Sequence, residues 1–467
     1  MHVTVDSYSW KFLRMSHPKP KSNLVSYYFA LLHSSPNPTH LRHLHARLLR
    51  TSLYDNVILS SKLLLMYSQL GKLSPHSLSV FLHMPHRNIY SWNIIIGEFS
   101  RSHLPHKSID LFLQMRHFNQ PPDVFTLPLV LRACAASGSV KLGVSVHGLC
   151  VKMGMEKSLF VASALVFMYV TFGKVLDARV LFDEMPERDA VLWTAMLAGY
   201  AQHEEPMLAL SVFRQMVSAG VALDGVVMIS LLLACGQLGW LKHGKSVHGW
   251  ITRRCLALGL NLGNALVDFY VKCAALGYSH NLFEKMPERD VISWSSIILG
   301  YGLSGNVDIA LDLFDRMRVA GVKPNDVTFL GALSACTHTG MVERAHTYFE
   351  MMKEYGVAPE LKHYACMVDC LGRAGMLEDA ERFTEEMPVE ADGAVLGALL
   401  GGCRVHGNAE VGERVAKKLM GLEPEKASNY VMLANIYAGA GRFEDAEKVR
   451  QLMKQRKLSK VPGCCLI

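Results

Sequence analysis

"LFDEMPERD" runs from Leu181 to Asp189 and "LFEKMPERD" from Leu282 to Asp290, two near-identical stretches of nine residues set 101 positions apart. A catalytic motif rarely needs a second copy, whereas a structural unit that has to be stacked does. Other landmarks keep the same interval: Trp92, Trp193 and Trp294; Met84, Met185 and Met286; and His147 with His248 in two "SVHG" copies. "HLHARL" at His45 falls one residue out of step. The chain is therefore periodic on a long cycle.

Each cycle contains three related units. In the one from Val291 to Asn325, an apolar segment runs to a Gly-containing turn, and a second segment carries Ala310, Leu313, Phe314 and Met317 at i, i+3, i+4 and i+7. That spacing is one stripe of an α-helix. The stripe returns as Ala209, Val212, Phe213 and Met216, as Ala178, Leu181, Phe182 and Met185, and as Ser279, Leu282, Phe283 and Met286. The repeated nonapeptide is thus the end of a second helix plus a turn. Pro186 and Pro287 stop that helix, since proline lacks the N–H and disfavours helical geometry in the residue before it. Units of 35, 35 and 31 residues make the cycle, with starts at 22, 57, 89, 124, 159, 190, 225, 260, 291, 326 and 361, and two further hairpins from about Ala394 and Ser428. One hairpin is too small to bury its own stripe, so neighbours stack and share a core. The expected fold is all-α, a right-handed α-solenoid superhelix of stacked helix-turn-helix repeats whose first helices line a concave groove, a geometry that suits a polymer ligand.

Composition narrows the classes. Half of the 467 residues are hydrophobic and 19% are charged, which argues against disorder. The formal net charge of +7 suits a polyanionic partner without identifying one. No run of 18 uncharged apolar residues appears, so no membrane span is expected. Eleven cysteines and 21 histidines are dispersed; Cys366 with Cys370, and Cys464 with Cys465, form no C-x-x-C, so neither a disulfide framework nor a zinc site is expected. There is no P-loop and no G-x-S-x-G elbow.

These motifs resemble the pentatricopeptide repeat proteins of plants. The 35-35-31 alternation, "MPERD", "SWNIIIGEF", "GNALVDFYVKC", "VTFLGALSACTHTGMVERAHTYFEMMKEYGV" and "HYACMVDCLGRAGMLEDAERF" are similar to the PLS subclass, and the match covers Ser22 to about Pro462. On this resemblance residues 1–21 are an N-terminal extension and a possible transit peptide, 22–393 hold about eleven repeat units, 394–427 and 428–461 are hairpins similar to the E1 and E2 motifs, and 462–467 are a tail. The family binds single-stranded RNA one base per repeat, read by two side chains. The resemblance puts these at the fifth and last residues of a unit. Aspartate accepts from uracil N3–H or guanine N1–H, and asparagine donates to adenine N1 or cytosine N3; by family pattern, a small hydroxyl at the fifth position goes with purines and an asparagine with pyrimidines.

Carried across, Ser61 with Asn88 favours A and Asn93 with Asp123 favours U. Ser163 with Asp189 and Thr194 with Asp224 both favour G, Asn264 with Asp290 favours U, and Ser295 with Asn325 favours A. The long units depart from the readable pairs at Pro128 with Ser158, Ile229 with Gly259 and Leu330 with Glu360. The expected target is A-U-x-G-G-x-U-A. Asp189 and Asp290 also fit turn or N-cap residues. The tryptophan series has the look of a base-stacking row, although first-helix aromatics beside the stripe are read as packing between units.

Related proteins that edit organelle RNA from C to U often carry a C-terminal deaminase built on H-x-E and P-C-x-x-C. Here His203 and Glu205 spell H-E-E inside a repeat with no C-x-x-C to complete the site, and the chain reads as non-catalytic and without a cofactor. The resemblance implies an editing-site recognition factor that recruits a deaminase or other editing factors in trans through its C-terminal hairpins. RNA binding for splicing, processing or stability, and a protein-interaction scaffold, are the alternatives. The compartment it implies is an organelle, the mitochondrion ahead of the chloroplast.

Overall fold

The computed structural model describes residues 21–34, 37–70, 75–102, 104–254 and 259–458. The extension and tail of the sequence reading lie almost wholly outside them. Among the described residues there are 26 helices and no strand, and no helix is long and apolar enough to cross a membrane. The chain falls into two compact units, Met1–Ala222 and Leu223–Ile467.

The first unit holds α1 (Lys21–His33), α2 (Pro38–Arg50), α3 (Val57–Gln69), α4 (Pro75–His83), α5 (Ile89–Arg101), α6 (Pro105–His117), α7 (Thr126–Ala136), α8 (Val140–Lys152), α9 (Leu159–Thr171), α10 (Val175–Glu184), α11 (Ala190–Gln202) and α12 (Pro206–Ser218). The second holds α13 (Gly225–Gln237), α14 (Leu241–Arg253), α15 (Leu260–Lys272), α16 (Leu276–Lys285), α17 (Val291–Leu303), α18 (Val307–Val319), α19 (Asp326–Thr339), α20 (Val342–Glu354), α21 (Leu361–Arg373), α22 (Leu377–Glu385), α23 (Gly393–His406), α24 (Ala409–Leu422), α25 (Ala427–Gly439) and α26 (Phe443–Gln455). Within each unit the odd-numbered helices pack one on the next, α3 on α5 on α7 on α9 on α11, and α13 on α15 through to α25. Even-numbered helices pack back on their own partners, as α6 does on α5 and α18 on α17. Each unit is an all-α solenoid of stacked hairpins.

The stripe explains the stacking. Ala310, Leu313, Phe314 and Met317 are fully buried on α18, and so are Ala209, Val212 and Met216 on α12. Burying one such side chain stabilises by about 1.5–3 kcal/mol relative to leaving it in water, so the shared core drives assembly. Trp92, Trp193 and Trp294 are also buried, and each meets a phenylalanine of the preceding hairpin edge-on: Phe81 at 4.7 Å, Phe182 at 4.9 Å and Phe283 at 4.8 Å. They pack hairpin to hairpin and offer no face to a base.

The repeated arginine closes the preceding helix. Arg87, Arg188 and Arg289 donate from Nε to the carbonyls of Phe81, Phe182 and Phe283 (3.0, 2.8 and 2.8 Å) and from Nη2 to those of Leu82, Asp183 and Glu284 (2.7, 3.0 and 2.6 Å). These are carbonyls that helix termini leave without internal partners. Each guanidinium also lies 4.7–5.0 Å from the ring centroid of the same phenylalanine. The nonapeptide therefore repeats because it is a helix-terminating device.

Two features need particular backbones. Gly302 on α17 faces Gly331 on α19 so closely that a Cβ on Gly302 would stand 2.2 Å from the Gly331 carbonyl oxygen. In the turn between α11 and α12, Glu204 takes φ 59°, the conformation that Gly305 supplies at φ 73° between α17 and α18.

Candidate nucleic-acid interface

The last residue of most units caps the first helix of the next. Asn56, Asn88, Asp189, Asp224, Asp290, Asn325 and Asp392 each accept from a backbone N–H in the first turn that follows. Asp123 does the same, accepting from Phe125 N at 3.0 Å and Thr126 N at 2.7 Å, while α7 itself begins at Thr126. Every one of the four aspartates uses Oδ1 for this, and no hydrogen bond to Oδ2 of Asp123, Asp189, Asp224 or Asp290 occurs among the described residues. Capping thus occupies one carboxylate oxygen and leaves the other for a different donor.

Fifth-position side chains come to these caps in two ways. Asn93 donates from Nδ2 to Asp123 Oδ1 at 3.1 Å, and Asn264 to Asp290 Oδ1 at 3.0 Å. A third group locks each pair: Thr126 Oγ1 lies 2.6 Å from Asn93 Oδ1 and 2.8 Å from Asp123 Oδ1, and Ser293 Oγ lies 2.6 and 3.0 Å from Asn264 Oδ1 and Asp290 Oδ1. One hydroxyl proton serves either oxygen. The asparagine is then held by both ends of its amide, with one Nδ2 proton uncommitted. Burial alone would raise the Asp123 and Asp290 carboxyls, but the hydrogen bonds from Thr126, Asn93 and Phe125, and from Ser293, Asn264 and Ile292, outweigh it and hold both below the ordinary carboxylate value. Both stay ionised, acceptor-only groups at neutral pH.

The hydroxyl pairs are looser. Ser61 Oγ sits 3.5 Å from Asn88 Oδ1. Ser295 donates to the Ile292 carbonyl at 3.2 Å and Asn325 accepts from Thr328, so these two side chains are not joined. Ser163 and Asp189 are not joined either: Asp189 accepts only from Leu192 N, and Ser163 Oγ is buried without a hydrogen-bond partner among the described residues. Thr194 turns its hydroxyl to the Ala190 carbonyl at 2.6 Å, and Asp224, in the other unit, caps α13. In the long units, Glu360 pairs with Lys362 Nζ at 3.1 Å, and Gly259 has no side chain to present.

The surroundings add residues that the sequence reading missed. Ile58, Tyr90, Phe160, Val191, Val226 and Ile292 all stand second in their helices and are 49–64% exposed, although each helix buries most of its other apolar residues. A cavity of about 740 Å³ opens at Asn93 and Asp123, bounded by Tyr90, Phe125, Leu65 and Arg101. Its largely apolar walls, with Asn93 and Asp123 converging beside Ser68, Gln69 and Arg101, fit a planar heterocycle. The signal was an apolar second residue lying off the buried stripe. His203, by contrast, is committed to the Val170 carbonyl at 2.7 Å. Among the described residues no group of three or more His, Cys, Asp or Glu is arranged to hold a metal.

Known repeat proteins match the chain along most of its length. The PPR repeat model matches residues 90–119, 160–189, 191–221, 327–357 and 363–390, the PPR repeat family model 289–338, and the E motif model 406–467. A pentatricopeptide repeat-containing protein of Arabidopsis thaliana is 63% identical over 440 residues, covering 94% of this chain and 92% of that one. The Arabidopsis protein CRR2, named chloroplastic, is 37% identical over 90% of this chain and 65% of its own length, and another named mitochondrial is 39% identical over 93% and 70%. Among solved structures, pentatricopeptide repeat protein PPR10 in complex with an 18-nt psaJ RNA element aligns with a TM-score of 0.50 at 16% identity, over 94% of this chain and 80% of that one, a likeness of fold.

Proposed function

The chain belongs to the pentatricopeptide repeat family, and from that premise we propose that it is a non-catalytic, single-stranded RNA-binding protein of an organelle that marks a C-to-U editing site. The observation that carries the RNA reading is the pair of braced side chains, Asn93–Asp123 and Asn264–Asp290, each with an ionised carboxylate whose second oxygen accepts no hydrogen bond among the described residues. Uracil offers one N–H beside carbonyl oxygens. Its N3–H matches Oδ2, and a neighbouring carbonyl matches the uncommitted asparagine proton. At the first pair, exposed Tyr90 and Phe125 give a flat base two faces to lie against. One solved structure whose fold resembles this chain, PPR10, is itself an RNA complex.

The preferred target remains A-U-x-G-G-x-U-A, with Ser61 and Asn88, Ser163 and Asp189, Thr194 and Asp224, and Ser295 and Asn325 supplying the other letters. Support for editing over splicing or transcript stability comes from the E motif match across residues 406–467. In this reading the hairpins α23–α24 and α25–α26 are the E1- and E2-like elements that recruit a deaminase supplied by another protein. Relatives named mitochondrial and chloroplastic support an organelle, with the mitochondrion as our choice.

The test is twofold. Gel-shift titration with an A-U-x-G-G-x-U-A oligonucleotide should show binding at least tenfold tighter than a scrambled sequence, and weaker as salt rises. Organelle transcript sequencing in a null plant should show one or more C-to-U sites unedited. Equal binding to both oligonucleotides would remove the base-reading assignment, and unchanged editing everywhere would leave RNA binding but remove the editing role.

A further inference from the structure

One construction occurs three times at the junction of a second helix with the next first helix. His45 on α2, His147 on α8 and His248 on α14 each place Nδ1 near the hydroxyl of a tyrosine: Tyr67 at 3.4 Å, Tyr169 at 2.8 Å and Tyr270 at 2.8 Å. What covers the tyrosine differs. Tyr278 stacks on Tyr270 at 5.3 Å with 15° between the planes, and Lys245 Nζ lies 4.0 Å from the centroid of Tyr278. At the first copy, His76 leans on Tyr67 at 5.7 Å and Tyr54 stacks on His45 at 5.5 Å.

At the middle copy the ring and the cation are both missing. Asp177 stands where the cycle has Tyr278 and His76, Val144 stands where it has Lys245, and Glu156 stands where it has Tyr54. A cavity of about 600 Å³ results beside Tyr169, lined by Val144, His147, Glu156, Asp177 and Glu184. Glu156 Oε2 is buried there with no hydrogen-bond partner among the described residues. Leaving a carboxylate oxygen buried and unpaired is costly, so the site is incomplete as it stands. Three carboxylates, Glu156, Asp177 and Glu184, outnumber Lys157 and Lys174 on its walls, and no ion pair joins the two sets among the described residues. Burial pushes the His147 imidazolium down against the pull of Glu156 and Glu184, so the ring adds no competing charge at neutral pH.

We propose that this cavity receives an arginine side chain presented by a protein partner. A guanidinium supplies both missing parts at once. Its plane lies against Tyr169 at the cavity wall, on the side that the Tyr278 ring takes at Tyr270, and its forked N–H groups reach Glu156 and the Asp177 carboxylate. Lysine brings charge without a plane, and an uncharged ring leaves Glu156 unpaired. None of the proposed base-selecting side chains lines the cavity, so this inference stands independently of the RNA reading.

Saturation-transfer NMR on the full chain tests it, with N-acetyl-arginine amide as the probe and the lysine and citrulline analogues as controls. The expected result is transfer to the arginine side-chain protons at least fivefold above either control. Asp177→Tyr, which installs the ring of the third copy, should abolish it, and Glu156→Gln should reduce it at least threefold. Asp177 is exposed, so the tyrosine is expected to fold; an unchanged far-ultraviolet spectrum and RNA gel shift verify that. Equal transfer to citrulline, equal transfer in both variants and the unmodified chain, or transfer to cytidine that Asp177→Tyr removes would each overturn the assignment.

Discussion

Asn264 and Asp290 lie 26 residues apart in sequence and 3.0 Å apart in space, and the aspartate oxygen that receives the asparagine amide also caps α17 through Ile292 N and Ser293 N. One atom therefore serves both scaffold and pair. The proposed base contact falls to the other carboxylate oxygen, so substitution separates the two duties.

Asp290→Asn tests this separation. Asparagine caps as well as aspartate, so stability should change by less than about 0.5 kcal/mol. The exposed acceptor becomes a donor, and preference at that letter should move from U to C by about 1–3 kcal/mol, the size of one well-made base contact. Competition gel shifts with single-letter variants of the oligonucleotide measure it. An unchanged U preference would show that Asp290 is a cap alone.

Acidification should expose the same group. Its folded carboxyl lies below the unfolded value of 3.8, so its stabilisation is complete above that value and disappears as pH falls through it toward the folded value. Urea midpoints measured from pH 5 down to pH 3 should therefore drop more steeply for the unmodified chain than for Asp290→Asn. Parallel curves would contradict the hydrogen-bonded carboxylate seen here.

Tyr90 and Trp92 are two residues apart on α5 and should behave oppositely. Trp92 is 1% exposed against Phe81, and its replacement by alanine should cost about 3–5 kcal/mol of stability. Tyr90→Ala should cost less than about 0.5 kcal/mol in the same urea titration. It should nevertheless weaken RNA binding by about 1–3 kcal/mol through lost stacking.

Arg289→Ala should destabilise by about 1.5–3 kcal/mol, because a charged donor to two helix-end carbonyls is removed from the Phe283 ring. Arg289→Lys should recover less than half of that, since an ammonium cannot span both carbonyls in one plane. Letter preference in the gel shift should stay as it was.

The hairpins were legible because their marks are single residues that few other positions tolerate: proline after Met84, Met185 and Met286, and a tryptophan at each following helix start. The aspartates of the candidate site were legible through the same period. Their third partner was within reach, since "DVFT" at Asp123 and "DVIS" at Asp290 put a hydroxyl three residues after a cap, whereas "DAVL" at Asp189 has Leu192 there. Bracing also needs an asparagine at the fifth position, since Ser295 stays unjoined although Thr328 follows Asn325 by three residues. Arg188 and Arg289 were not legible as helix stops, because the carbonyls they cap belong to residues six and five positions earlier. The row through Tyr90 and Ile292 left only a faint mark, an apolar second residue off the stripe, because an apolar letter in an apolar helix shows its facing only once its neighbours are placed.

Gly302 and Gly331 have a last consequence. Where α17 meets α19, peptide planes touch with no side chain between them, and a rod seated on bare backbone cannot slide or tilt without collision. The spacing between those two hairpins is therefore held by backbone contact. Gly372 on α21 and Gly402 on α23 form a second joint of the same kind, so these two steps of the stack are the ones that admit least adjustment.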